Sequence, residues 1–175
     1  MENLKKESYF FNTIDDLIKY LFAKYGKLSP LKLQKGLYFL FAYYGGTYGN
    51  SEKFNSEVDY DLPKYLFPAK FLAWDYGPVI EEVYFNNRNS QYDDYANDTN
   101  TLTEIEKAYF NKNNVNKEVK LFINELFDEV INTSDFSLVD RSHEDKVWKN
   151  AYSMGRNMEM PEDEIVKEYL TTNVQ

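Results

Sequence analysis

The chain has 175 residues, 20 basic against 29 acidic for a formal net charge of −9, with 43% hydrophobic and 18% aromatic side chains and no cysteine. So aromatic a composition excludes a disordered chain, and the length is that of one domain, residues 1–175. The missing thiols exclude disulfides, thiolate metal sites and a cysteine nucleophile, and no apolar run reaches the length of a membrane span, so a cytoplasmic protein is expected.

Helical periodicity begins after Thr13, with Ile14, Leu17, Ile18, Leu21 and Phe22 on one face and Gly26 at the end. Thr13 and Asp16 are placed to cap the first turn. The next segment, "LSPLKLQKGLYFLFAYYGG", offers Ser29 as N-cap, Pro30 as first helical residue and Gly45 as stop. Beyond its first turns this helix is apolar all round, which belongs in the centre of a fold, and Gly36 allows a close approach. Its head, Lys32-Leu33-Gln34-Lys35, is polar and reads by itself as a solvated end.

Residues 46–64 form a polar connection. An aromatic run follows, with room for a short strand pair near residues 64–76. Gly77-Pro78 then reads as a helix start, with Glu81 and Glu82 in the turn the dipole favours. Residues 86–101, "NNRNSQYDDYANDTNT", read as a mobile loop. Thr103 with Glu106 is a second capping-box candidate. Val119, Phe122, Ile123, Leu126 and Val130 mark the clearest amphipathic helix. Thr133, Ser134 and Asp135 offer the next cap, "SHEDKVWKNAY" reads as helix, and Pro161 opens a last one. The expected fold is mainly α: one compact helical domain around a buried central helix.

Little here could carry catalysis. His143 is the single histidine, too few for a multi-histidine zinc site. "YGGTYGN" lacks the ending of a phosphate loop. The acid pairs Asp15/Asp16, Glu81/Glu82 and Asp93/Asp94 are adjacent and point apart on a helix. No enzyme activity, cofactor or metal is expected. The charge is unevenly spread: residues 1–50 hold seven lysines and four acids, whereas residues 51–175 hold thirteen basic and twenty-five acidic side chains. Only the N-terminal region could meet nucleic acid, and the acidic remainder suits a basic protein partner.

Three clusters stand out in order: "KLQKGLYFLFAYY", "LFPAKFLAWDYGPVIEEVY" and "LVDRSHEDKVWKNAY", followed by "EDEIVKEYL". Together they resemble the Panacea domain, a family of phage-associated GepA-like proteins that recur as antitoxins, over about residues 14–170. The resemblance rests on Lys32, Leu33, Gln34, Lys35, Tyr38, Ala73, Trp74, Gly77, Pro78, Val79, Tyr84, His143 and Trp148. It implies a non-enzymatic bacterial protein, encoded by host or phage, that binds and neutralises a protein toxin. The alternative is a phage-encoded inhibitor of a host defence nuclease. It also implies that Lys32, Gln34, Lys35, Tyr38, Trp74, Tyr76, Gly77, Pro78, Val79, His143 and Trp148 converge on one patch, as a binding site or a structural keystone. The residues themselves suggest a second partner surface at Tyr92, Asp93, Asp94 and Tyr95, because tyrosine is a favoured interface side chain.

Overall fold

The computed structural model describes residues 8–49 and 62–172. Helix α1, Ile14–Tyr25, buries the predicted face, including Leu17, Ile18, Leu21 and Phe22. Thr13 sits at its N-cap without a side-chain bond, and the Asp16 carboxylate, expected to complete the cap, accepts from the Tyr109 hydroxyl.

Helix α2, Pro30–Tyr48, starts as the sequence indicates: the Ser29 hydroxyl accepts from the Lys32 amide at 3.2 Å, with Pro30 in the first turn. It does not stop at Gly45. It runs on to a cap at Gly49, and Gly45 and Gly46 are the seat of the last helix instead. A Cβ on Gly45 would lie 2.3 Å from Val166 Cγ2, and one on Gly46 would lie 3.0 Å from Tyr169 Cβ. Both contacts belong to α8, Glu162–Thr172, which lies against α2.

Two strands form the predicted pair, shifted toward the C-terminus: β1, Phe71–Trp74, and β2, Gly77–Ile80, joined by Asp75-Tyr76. Pro78 therefore stands in a strand and opens no helix. The register pairs Trp74 with Gly77 and Phe71 with Ile80, while a short β3, Glu159–Met160, covers the other side of β1. β2 is thus an edge strand, the place in a sheet where a proline is tolerated.

Helix α3, Glu81–Arg88, carries its two glutamates in the first turn. The region expected as a mobile loop is ordered. It passes through a 3₁₀ turn, Asp93–Tyr95, into α4, Thr99–Ile105. The cap of α4 is Asp98, which accepts from the Asn100 amide and the Thr101 hydroxyl. Thr103 lies inside α4 and its hydroxyl donates to the Thr99 carbonyl, so the Thr103–Glu106 capping box does not form. A π turn, Glu106–Phe110, leads to α5, Asn114–Asn132, and then α6, Asp135–His143, capped by Asn113 and Ser134. "SHEDKVWKNAY" is not one helix. It breaks at Glu144-Asp145 before α7, Lys146–Ser153.

The fold is mainly α, with helices around α2 and one small three-stranded sheet. One apolar cluster extends from Phe10 to Tyr169, and the middle of α2 is its axis, with Leu37, Tyr38, Leu40 and Phe41 all sealed from solvent.

Candidate functional site

The polar head of α2 is not solvated: Gln34 is 4% exposed and Lys35 is 0% exposed. Both side chains serve the open edge of β2. The Gln34 amide makes a reciprocal pair, accepting from the Ile80 amide at 2.9 Å and donating to the Ile80 carbonyl at 3.1 Å. The Lys35 ammonium donates to the Pro78 carbonyl at 3.0 Å. In an antiparallel ladder alternate residues face outward, so Ile80 and Pro78 present their backbone groups to α2. A proline there loses no ladder bond, and two side chains stand in for a missing strand. Burial pulls the Lys35 ammonium down to about 7, because the charged form is the one that desolvation penalises.

Lys32 has a different task. Its ammonium reaches the Thr133 carbonyl at 2.5 Å, the Ile131 carbonyl at 3.2 Å and the Asp135 carboxylate at 3.4 Å. It closes the C-terminal end of α5, where carbonyls lack helical partners and the dipole favours a cation.

Gly77 is required twice over. Its φ is +103°, and a Cβ would lie 2.3 Å from Ser142 Oγ and 2.9 Å from Lys35 Cε. The turn it closes is clamped from the other side by the third motif. Trp148 Nε1 donates to the Trp74 carbonyl at 3.0 Å, and His143 Nε2 lies 2.9 Å from the Asp75 carbonyl, to which it donates. Trp148 is stacked between the rings of His143, at 4.1 Å, and Tyr152, at 4.7 Å. The Tyr152 hydroxyl completes the clamp on Asp75 Oδ1 at 2.8 Å.

Behind the clamp lies Asp145, 4% exposed, which the sequence reading passed over. It accepts from the Tyr38 hydroxyl, from Tyr169 at 2.8 Å and from Arg141 at 2.8 Å. Burial, followed by the neighbouring Tyr169 and Asp145 charges, pushes the Tyr38 phenol well above its ordinary value. The knot ties α2, α6, α7 and α8 together. Asp145 stands at the N-cap position of α7 without capping it; the Lys146 and Val147 amides donate to the Glu168 carboxylate instead.

These elements enclose a cleft of about 580 Å³. The N-terminal part of α2 supplies Pro30, Leu31, Gln34 and Lys35, and the hairpin supplies Trp74, Asp75, Tyr76 and Val79. Tyr84 of α3 and the segment with Tyr152, Arg156 and Asn157 complete the wall. Of the motif residues, Gln34, Lys35, Trp74, Tyr76 and Val79 line the cleft, while Tyr38, Gly77, Pro78, His143 and Trp148 build the frame behind it. Lys32 belongs to the α5 cap. Tyr152, Arg156 and Asn157 were missed; only the four-residue step from Trp148 to Tyr152 pointed to one of them.

The second candidate surface does not form as expected. Tyr92 is 4% exposed and packs on Phe22 at 5.6 Å, so its ring is core. Asp93 pairs with Lys27 at 3.5 Å, and Tyr95 lies under the Lys19 ammonium. Asp94 alone of the four is exposed. A turn dense in Asn, Asp and Tyr reads as solvated, but its tyrosine plugs the gap beside α1.

A helical scaffold whose distant motifs brace a three-stranded sheet thus carries a cleft at the end of its central helix. The profile of the antitoxin SocA-like, Panacea domain family matches residues 61–149. The chain belongs to that family. The matched stretch contains the Trp74–Val79 and His143–Trp148 motifs but not the α2 residues they meet. No curated protein and no solved structure matches the chain. Among the described residues no helix is long and apolar enough to cross a membrane, and no group of acidic or histidine side chains is placed to hold a metal ion.

Proposed function

We propose that the protein is an antitoxin-type binding protein that neutralises a protein toxin by direct contact, and that the cleft and its aromatic rim are the contact surface. The family supports the class of function. The observation that carries the location is the concentration of exposed apolar side chains around one braced cleft. Tyr76 and Tyr152 line it, Phe85 lies against the lining Tyr84, and Met154 follows Tyr152 by two residues; all four are exposed. Exposed rings on a rigid frame are the usual anchors of a protein interface, because they bury much area at little entropic cost. The frame supplies the rigidity: the α2 polar head, the hairpin and the α6–α7 junction hold each other in fixed register. The nuclease-inhibitor reading draws on an acidic, tyrosine-rich surface, and of the residues that line this cleft only Asp75 is acidic.

The test is growth rescue and co-purification against the products of the genes next to this chain's own in its native genome. Tyr76→Ser combined with Met154→Ser removes rim area without touching the frame, and neutralisation should be lost while the melting temperature stays near wild type. Asp94→Asn should neutralise like wild type. Full neutralisation by the rim variant would put the contact surface elsewhere.

A further inference from the structure

We infer that the cleft captures a carboxylate carried on an aromatic or branched apolar body, with the indole of Trp74 and the ammonium of Lys35 as its donors. The inference rests on the reading of this cleft as a binding site, not on the partner being a toxin. Trp74 Nε1 is a buried donor with no acceptor, the one buried side-chain nitrogen or oxygen in that position among the described residues. An unpaired buried N–H is costly and rare, so each one calls for a reason. Lys35 lines the same wall. Its ammonium has three donor hydrogens, and Pro78 takes one of them. Its lowered ionisation has burial as its only resolved cause, with no acidic neighbour contributing.

The same cleft wall thus holds an unpaired donor, from the hairpin, and a cation without a counter-ion, from α2. A carboxylate would supply both the acceptor and the charge. The remaining wall suits an apolar body: Leu31, Val79 and the rings of Trp74, Tyr76 and Tyr84. The volume of about 580 Å³ is in the range of pockets for small ligands. At the rim Arg156 adds a positive charge, while Asp75 is already bonded to Tyr152. Both donors are buried behind that wall. Such a carboxylate is presented either by a free small acid or by the last residue of a polypeptide.

The experiment is a titration of the full chain followed by the Trp74 indole N–H resonance. The probes are N-acetylphenylalanine, its neutral amide, and the peptide Ala-Ala-Ala-Phe with a free C-terminus. The acid should move the resonance saturably, and the amide should bind at least about tenfold more weakly, because it lacks the charge. Lys35→Met should abolish that preference. If Lys35→Met does not fold, the wild-type pH series decides: acid affinity should fall as pH rises through Lys35 ionisation while amide affinity stays level. Tighter binding of the peptide than of the acid assigns a chain terminus; weaker binding assigns a free acid. Equal affinity for acid and amide, or no saturable shift with any probe, overturns the inference. Rim variants that abolish neutralisation without any probe binding would sink this inference and leave the proposed function standing.

Discussion

Lys35 shows how far a residue's role can depart from its local pattern. In the sequence it is one polar position at the head of an apolar helix, and helical periodicity assigns such positions to water. Its acceptor lies on Pro78, 43 residues away, and no local rule reaches that far. Gln34 and Lys35 were legible as unusual and illegible as edge substitutes, because the need they meet arises only when β2 is docked. Their burial has a measurable consequence. Lys35 is held near 7 in the folded protein, against about 10.4 in an unfolded chain. Between those values the unfolded state binds more protons, so stability should rise with pH across that window and be at its lowest below it. The groups facing the ammonium are the Pro78 carbonyl and the neutral Ser142 and Gln34, with Asp75 and Arg156 on the cleft wall. Urea denaturation of wild type and Lys35→Met at about pH 6 and about pH 9 cancels the groups they share. Wild type should gain on the variant as pH rises; a constant difference would show that the buried ammonium is not what titrates.

Elements were more legible than residues where the signal is local. Ser29-Pro30 starts α2 and Ser134 caps α6, each by a side chain within three positions of the amide it serves. Two of the errors came where glycine or proline answers to a neighbour in space. Gly77-Pro78 has the form of a helix start, yet it turns a hairpin against Ser142 and Lys35. Gly45 has the form of a helix stop, yet it is the floor on which Val166 sits. The two readings of Gly45 predict opposite signs. Propensity alone makes Gly45→Ala stabilising by about 1 kcal/mol in a helix interior. The packed structure puts the new methyl 2.3 Å from Val166 Cγ2 and 2.9 Å from Cγ1, and overpacking of this kind typically costs about 1–3 kcal/mol. Gly45→Ala should therefore lower the urea midpoint, and Val166→Ala in the same chain should restore part of the loss. A stabilised single variant would mean that α8 does not rest on that glycine.

For the whole molecule the decisive fact is that one helix serves both core and site. The family profile covers residues 61–149, which invites treating that stretch as a self-sufficient domain. The physical reading is that it cannot stand alone. It contains β2 but not Gln34 and Lys35, which close its edge, and Asp145 but neither Tyr38 nor Tyr169, which neutralise its burial. The Phe127 ring of α5 lies in the notch left by Gly36 of α2, where a Cβ would come within 2.4 Å, so that face would be left open. A fragment of residues 61–149 should therefore expose a broad apolar surface, bind a hydrophobic dye and show no cooperative thermal transition. The full chain should melt cooperatively, because its core runs unbroken from α1 to α8. The intermediate case is also defined. Residues 8–172 hold every element that lines or frames the cleft and should keep the cooperative melt of the full chain. A sharp transition in the 61–149 fragment, with dispersed side-chain resonances, would show that α2 is an addition to the fold and not its axis.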